Sequence, residues 1–553
     1  MFDTAWGVRA HQTSIRTRIE IMARGVIEAQ EWRWVTIAGG LLLVMLSIPL
    51  LWAYAAAVPD RVFMGILVNP LDGMSYQAKM IQGYQGSWLF HLPYTPEPHH
   101  GVFLFTFYLG LGHLARLLGL QPILVFHAVR LVGGMFMFIA LYRFVSDWTD
   151  SVAQRQITWL LAVVGTGFGW MALLFGHATP DMLILPEAFP LQAVYANAHF
   201  PWAIAIAVTI AHLLVSAALD ETLTYPDLDL KTLALVTGVI LLVSISPFML
   251  VPLGAGYAAL CAWRAWEKRR LPQRELTWGG LLLTFALPLA LYNGWAISPI
   301  NPIFQGWMEQ NLTPSPPVWD YLIAFGPLLV LAGCGVWGSR KHFQASDAFL
   351  SGWIVATFAC LYLPIGLQRR FAMGVVVPLA IYAGTGLWRV IAPKVQDRWR
   401  FALTLLAFLT FAPTTILAIV LPMYGTLDRE SGFSYYISRA ENESLIWLGQ
   451  HAGPQDVVLA SPEFSLFIPT VGPRVVYGHP FETLNAEARR SEVLDYYTGQ
   501  SCGVIGAEGV DYVVFGPRER NLAPPGVACP APGDPVFASS DGEVLIYAAA
   551  NGQ

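Results

Sequence analysis

Residues 34–58 read WVTIAGGLLLVMLSIPLLWAYAAAV, without one charged side chain. A helix needs about 20 such residues to cross a hydrocarbon core of about 30 Å, so this stretch reads as a membrane span. Comparable runs recur at about 122–144, 157–175, 201–219, 232–247, 249–264, 277–297, 319–338, 348–366, 372–392 and 401–424. The composition agrees. Charged residues make up 12% of the chain and hydrophobic ones 55%, whereas soluble domains carry about 25% charged residues. The expected fold class is therefore a polytopic α-helical membrane protein with about eleven transmembrane helices. The fifth and sixth runs are short and meet at Ser246-Pro247, which predicts a tight helical hairpin. One long broken helix is the alternative and would reverse the parity downstream.

Lys and Arg in short loops favour the cytoplasmic side. They place the N-terminus, the 264–270 loop, Arg340-Lys341 and the 394–400 loop inside. Residues 1–33, with Arg9, Arg16, Arg18, Arg24 and Arg33, read as a cytoplasmic or interfacial lead-in with no secretory signal. Residues 34–424 form the membrane module. Its first outer loop, 59–121, contains an apolar stretch at 101–120 that His113 and Arg116 make uncomfortable as a span, so it is laid along the membrane surface. Val163–Trp170, with three glycines, is read as part of a span where small residues allow close packing. After residue 424 the composition changes to 16 acidic against 7 basic residues. Residues 425–553 are thus expected to be a soluble, extracytoplasmic α/β domain. Its strands are placed near 456–460, 474–477, 511–515 and 544–547, and its helices near 443–451 and 484–497. Outside the cell a disulfide between Cys502 and Cys529 is open to it. The location implied is the inner or plasma membrane, multi-pass. A net charge of −5 leaves no case for a nucleic-acid partner.

The first outer loop carries the strongest chemical signal. Asn69-Pro70-Leu71-Asp72-Gly73-Met74-Ser75-Tyr76-Gln77 follows the first span closely. A carboxylate there sits where a lipid-linked substrate presents its head group, and it can take a proton from an attacking hydroxyl. Asp72 also suits the N-cap of a helix starting at Gly73. Arg369-Arg370, placed outside, break the positive-inside tendency. Paired guanidiniums at a membrane surface suit a phosphate, which each can hold through two donors. Glu97, His99 and His100 are further candidates for donor or acceptor binding, as are Glu187 and His199 in the second outer loop. In the tail, His479 and Glu482 follow a strand end, a common ligand position in α/β domains. The His-His-Glu grouping is weak metal-ligand spacing, so no metal site is assigned and no cofactor is expected.

The order of features resembles the GT-C glycosyltransferases. These enzymes use polyprenyl-phosphate sugars and include the protein O-mannosyltransferases and the aminoarabinose transferases. The features are a first outer loop with Asp72 and then Tyr76, the run Gly86-Ser87-Trp88 soon after, a Pro-rich stretch, many spans and an outer C-terminal domain. Within that set the chain is most similar to bacterial members. The resemblance implies that Asp72 is the catalytic base of an inverting transfer, that Tyr76 lies in the site, and that the donor sugar is carried on a polyprenyl phosphate. Arg370-Phe371 matches an Arg-aromatic pair placed near the lipid phosphate. The sequence departs from the family in two places. Gly73 stands where several members have a second acid, and Pro93–His100 replaces a Lys-Pro-Pro-Leu stretch. The acceptor, whether glycan, lipid or protein, is not specified. A lipid or sugar transporter or flippase is the first alternative, and a non-catalytic membrane scaffold the second.

Overall fold

The computed structural model describes residues 26–219, 226–227, 229–427, 435–523 and 526–549. The arginines up to Arg24 lie outside the described residues. Among those described, nine helices are long and apolar enough to cross a membrane: Ala29–Ala55, Pro122–Val145, Val152–Leu173, His199–Leu219, Pro247–Lys268, Gln273–Ala296, Val318–His342, Gln368–Lys394 and Arg398–Gly425. Two shorter apolar helices, Leu230–Ile245 and Ala345–Cys360, complete the series expected from the sequence. The chain is a multi-pass membrane protein. The first span shows why. Ile37, Leu41, Val44, Ile48 and Leu51 are exposed, and Val35, Gly39, Leu46, Pro49 and Ala53 are buried. The exposed set repeats every three to four residues and the buried set every one or two turns, so one stripe faces lipid and the other the bundle.

The spans alternate in direction, and the contacts at their ends show the parity. At one end, Glu31 pairs with Arg155 at 3.2 Å and accepts from the Tyr142 hydroxyl at 2.5 Å. The Ala218 carbonyl at the same end accepts from Arg264 at 3.3 Å and Arg274 at 2.6 Å. At the other end, Ser246 lies 3.4 Å from the Met373 sulfur, and Phe248 packs edge-on against Phe371. Leu230–Ile245 therefore climbs to Ser246 and Leu250–Lys268 returns, which is the hairpin rather than one broken helix. Loops 59–121, 176–200, 298–318 and 361–375 share the second end with the tail.

Three expectations need correction. The runs read as spans at 232–247 and 348–366 make helices of only 16 residues. Pro247 stops the first, and the second gives way at 361 to irregular turns. Val163–Trp170 is not continuous helix: it breaks after Val164 and restarts at Gly169. The amides freed there, Gly167 and Gly169, donate to the buried Asp181 carboxylate at 2.9 and 3.2 Å. By contrast, the 101–120 stretch agrees with its reading as a non-span: it is a 13-residue helix, Thr106–Leu118, too short to cross, with Leu117 and Leu118 exposed.

The tail forms a five-stranded sheet in the order β4-β3-β5-β7-β6. Its strands are β3 (Val457–Leu459), β4 (Arg474–Val475), β5 (Tyr512–Phe515), β6 (Pro535–Ala538) and β7 (Leu545–Ala548). β3 is parallel to β4 and β5; β7 runs antiparallel to β5 and β6. Helices Arg439–His451 and Ala486–Tyr497 pack on it. Cys502 and Cys529 are bridged. The tail does not hang free. β1 (Arg61–Phe63) pairs antiparallel with β2 (Tyr436–Ser438), and one apolar core joins Ile66, Met74, Ala78 and Tyr94 of the first loop to Val458, Phe464 and Val475 of the tail.

Candidate active site

The helix Pro70–Tyr84 sets the position of Asp72. Pro70 supplies its first turn, where no amide donor is required. Asn69, at φ 49°, is the N-cap and accepts the Asp72 amide at 3.5 Å. Asp72 is therefore not the cap that the sequence suggested but the third helical residue, because the helix starts at Pro70 and not at Gly73. Its Oδ2 accepts from the Asn69 side-chain amide at 2.6 Å. Asp72, Ser75, Tyr76 and Lys79 follow at helical spacing and form one polar stripe.

That stripe faces residues from distant loops. Asp72, Arg370, Glu482 and Glu187 all lie within electrostatic reach of the Tyr76 hydroxyl. Burial pushes that phenol well above its ordinary value; the carboxylates add to the rise and Arg370 opposes it. Glu187 stands on the short turn Pro186–Ala188, whose Glu187 carbonyl accepts from Gly374 at 3.2 Å. Burial raises its carboxyl, while Arg369 and Arg370 pull it down and Asp72 raises it further. Arg369 is held through its amide on the Thr313 carbonyl at 3.3 Å, and its Nε is buried with no hydrogen-bond partner among the described residues. Arg370 lies over the Phe248 ring at 5.5 Å. Tyr76 stacks on Tyr108 at 4.2 Å, and the Tyr108 hydroxyl meets His199 Nδ1 at 2.6 Å. Asp72, Tyr76, Glu187, His199, Arg369 and Arg370 thus form one polar cluster at the tail end of the bundle, called the chamber below, linked by these contacts and by mutual electrostatic reach.

The tail contributes to the chamber. Lys79, fully buried, pairs with Glu482 at 2.8 Å and also donates to Ser75; the Ser75 hydroxyl donates to the same Glu482 oxygen at 2.5 Å. Burial alone would raise the Glu482 carboxyl, but Lys79 and His479 hold it below its usual range. His479 accepts the Phe481 amide on Nδ1 at 3.2 Å, so its proton sits on Nε2, which is buried and unpartnered among the described residues. Asp72 is within electrostatic reach of His479.

The remaining candidates lie elsewhere. Glu97 pairs with Arg489 of the tail at 2.8 Å. His99 accepts the Leu92 amide on Nε2 at 2.9 Å and presents Nδ1 to the Glu97 carbonyl at 2.8 Å, so both ring nitrogens serve the loop's own backbone. His100 is exposed. This loop clamps the tail and does not enter the chamber. Among the described residues, no group of three or more His, Cys, Asp or Glu side chains is placed to hold a metal ion.

No family model and no curated protein matches the sequence. Among solved structures, the chain is similar to ArnT from Cupriavidus metallidurans bound to undecaprenyl phosphate. The two share 13% identity over 95% of this chain and 99% of that one, with a TM-score of 0.52. The chain has the fold of that ArnT structure. A weaker likeness, to the archaeal oligosaccharyltransferase AglB from Archaeoglobus fulgidus in complex with an inhibitory peptide and a dolichol-phosphate, has 14% identity over 86% of this chain and 69% of that one. Its TM-score is 0.48. Lys79 and Tyr108 are residues of the polar cluster that motif reading does not supply. The i, i+3, i+4, i+7 stripe from Asp72 to Lys79 is the signal for Lys79. Nothing local marks Tyr108, whose partner His199 is 91 residues away. Glu482 stands out beside a strand end, but nothing local points to Lys79, 403 residues away.

Proposed function

We propose that this protein is an inverting glycosyltransferase that moves a sugar from a polyprenyl-phosphate donor to an acceptor hydroxyl on the extracytoplasmic side of the membrane. The observation that supports the reading is that Asp72, Arg369 and Arg370, from loops far apart in the chain, all lie within electrostatic reach of the buried Glu187. The tail would stand outside the cell and the N-terminus inside. Arg369 and Arg370 hold the donor phosphate. Asp72 takes the proton of the acceptor hydroxyl; the oxygen attacks the anomeric carbon in line; the carbon–phosphate oxygen bond breaks, and the phosphate leaves with the electron pair. The guanidiniums offset the charge that grows on it. Glu187, within electrostatic reach of both arginines and of Asp72, offsets the positive charge of the pair.

The test is Asp72→Asn in proteoliposomes supplied with polyprenyl-phosphate sugars. Turnover is expected to fall about 10²–10⁴-fold, the range for loss of a general base, while binding of the lipid-phosphate donor persists. Undiminished turnover would sink the assignment.

A further inference from the structure

Between the first-loop helix and the tail lies a cavity of about 140 Å³ that the transfer chemistry leaves unused. Its walls include Leu71, Glu463, Leu466, Tyr477, Gly478 and Arg490. Glu463 and Leu466 follow β3, and Tyr477 and Gly478 follow β4. The cavity therefore opens at the carboxyl ends of two neighbouring parallel strands, where α/β sheets bind ligands. Leu71 roofs it, and the next residue along the chain is Asp72.

The lining is polar in a particular way. Tyr477 is buried, Glu463 half-buried and Arg490 exposed, so hydrogen-bonding groups run from floor to rim. Glu463 and Arg490 both lie within electrostatic reach of the Tyr477 hydroxyl. None of the three side chains makes a hydrogen bond or ion pair with another described residue. One carboxylate, one guanidinium and one phenol are therefore left with unspent donors and acceptors beside the apolar surfaces of Leu71 and Leu466. The charges cancel, which fits a neutral ligand better than a phosphate. An extended peptide is disfavoured, because the free edge of β4 is already covered: the Val475 amide donates to the Pro93 carbonyl at 3.2 Å, and Arg474 donates to the carbonyls of Pro96 and Glu97 at 3.0 and 3.1 Å. Strand addition there has no vacant ladder. Gly478 keeps the wall thin, since a Cβ on it would sit 2.7 Å from the Ser465 carbonyl oxygen.

We propose that this cavity is the acceptor subsite and that its occupant is a neutral sugar ring. The ring's hydroxyls engage Glu463, Arg490 and Tyr477, and its attacking hydroxyl is directed past Leu71 toward Asp72. This rests on the transferase reading and narrows the acceptor to a glycan.

The test uses the full chain in lipid nanodiscs and saturation-transfer NMR with three probes: the methyl pyranosides of glucose, mannose and N-acetylglucosamine. At least one is expected to bind. Glu463→Gln and Arg490→Ala should each weaken it about 10–100-fold, the scale of one hydrogen bond to a charged group. Both positions are at least partly exposed, and an unchanged thermal unfolding midpoint verifies folding. If no probe binds the unsubstituted chain, if the variants bind as well as it does, or if a Gly-Ser-Thr-Gly peptide displaces the sugar and responds to the variants instead, the subsite is wrong. The two readings fail separately. Sugar binding that responds to these variants in a protein without transfer activity overturns the transferase reading and keeps the site. Transfer that depends on Asp72, with binding blind to Glu463 and Arg490, does the reverse.

Discussion

At the scale of single residues, the chamber depends on charges that are individually costly and collectively matched. Lys79 has no exposed surface, and its carboxylate partner among the described residues is Glu482, across the junction with the tail. Removing one member of such a buried pair costs about 3–5 kcal/mol, whereas replacing both by apolar groups costs far less. Lys79→Met is therefore expected to lower stability by roughly that amount, and Lys79→Met combined with Glu482→Leu to recover most of it. Chemical denaturation in detergent measures both; equal destabilisation by the single and double variants would contradict the pairing. Arg370 plays the opposite role: it pairs with no carboxylate among the described residues, and Tyr76, Glu187 and His199 lie within its electrostatic reach. Arg370→Ala should cut kcat/KM by about 10²–10³, the effect of losing one electrostatic donor. Arg370→Lys should recover only part, since an ammonium cannot make the two parallel donations of a guanidinium. Full recovery by lysine would show that charge alone, not bidentate geometry, is what the site uses.

At the scale of elements, the first-loop helix Pro70–Tyr84 and the surface helix Thr106–Leu118 cross at glycines. A Cβ on Gly112 would lie 1.9 Å from the Met80 carbonyl oxygen, and one on Gly83 would lie 2.0 Å from that of Leu109. Backbone meets backbone there, so no side chain can swing aside. Gly112→Ala is expected to cost about 1–3 kcal/mol as overpacking and to disturb Tyr108, which lies on the same helix as Gly112 and stacks on Tyr76. A thermal scan paired with turnover checks this; a variant of unchanged stability would mean the crossing is looser than described. Elements of this kind divide what was legible from what was not. Spans announce themselves by uncharged apolar runs, because lipid imposes that on sequence regardless of partners. The parity was readable from Lys and Arg, and four of the five strands of the tail's sheet from short Val-rich or aliphatic runs; β6 (Pro535–Ala538) was not. The break after Val164 was not readable. Three glycines there look like packing surface until Asp181, on another segment, is seen to collect the released amides. The role of Asp72 in its helix was misread by three positions, since Pro70 and Asn69 start the helix earlier than Gly73 suggested.

At the scale of the molecule, the tail and the membrane module act as one body joined along residues 91–99 and 474–489. Glu97 and Arg489 meet at 2.8 Å, Arg474 donates to the Pro96 and Glu97 carbonyls, and Lys79 meets Glu482. The junction's three histidines and two of its carboxyls, Glu97 and Glu482, shift the same way. Burial holds His91, His99 and His479 below the ordinary histidine value of 6.5. Despite burial, bonds from Thr95 and Arg489 hold Glu97 below 4.5, and Lys79 does the same for Glu482. A group whose value is depressed by folding contributes stability that is complete above its unfolded value and is lost as the pH falls. As pH falls below about 6.5, the unfolded chain takes up protons that the folded histidines refuse; below about 4.5 the same applies to the carboxylates. The junction should therefore loosen in two stages on acidification, while the spans, sealed in lipid, stay closed. Hydrogen exchange of the full chain from about pH 8 to about pH 4, corrected for intrinsic rates, follows it directly. Protection in 91–99 and 474–489 is expected to fall first near about pH 6 and again near about pH 4, and His479→Asn should blunt the first stage. Because Glu482 carries the tail's charged contact with the Asp72 helix, turnover should decline with the loss of protection. Protection that stays flat across the whole range would mean that the junction is held by its apolar core alone, and that the tail's grip on the chamber does not depend on charge.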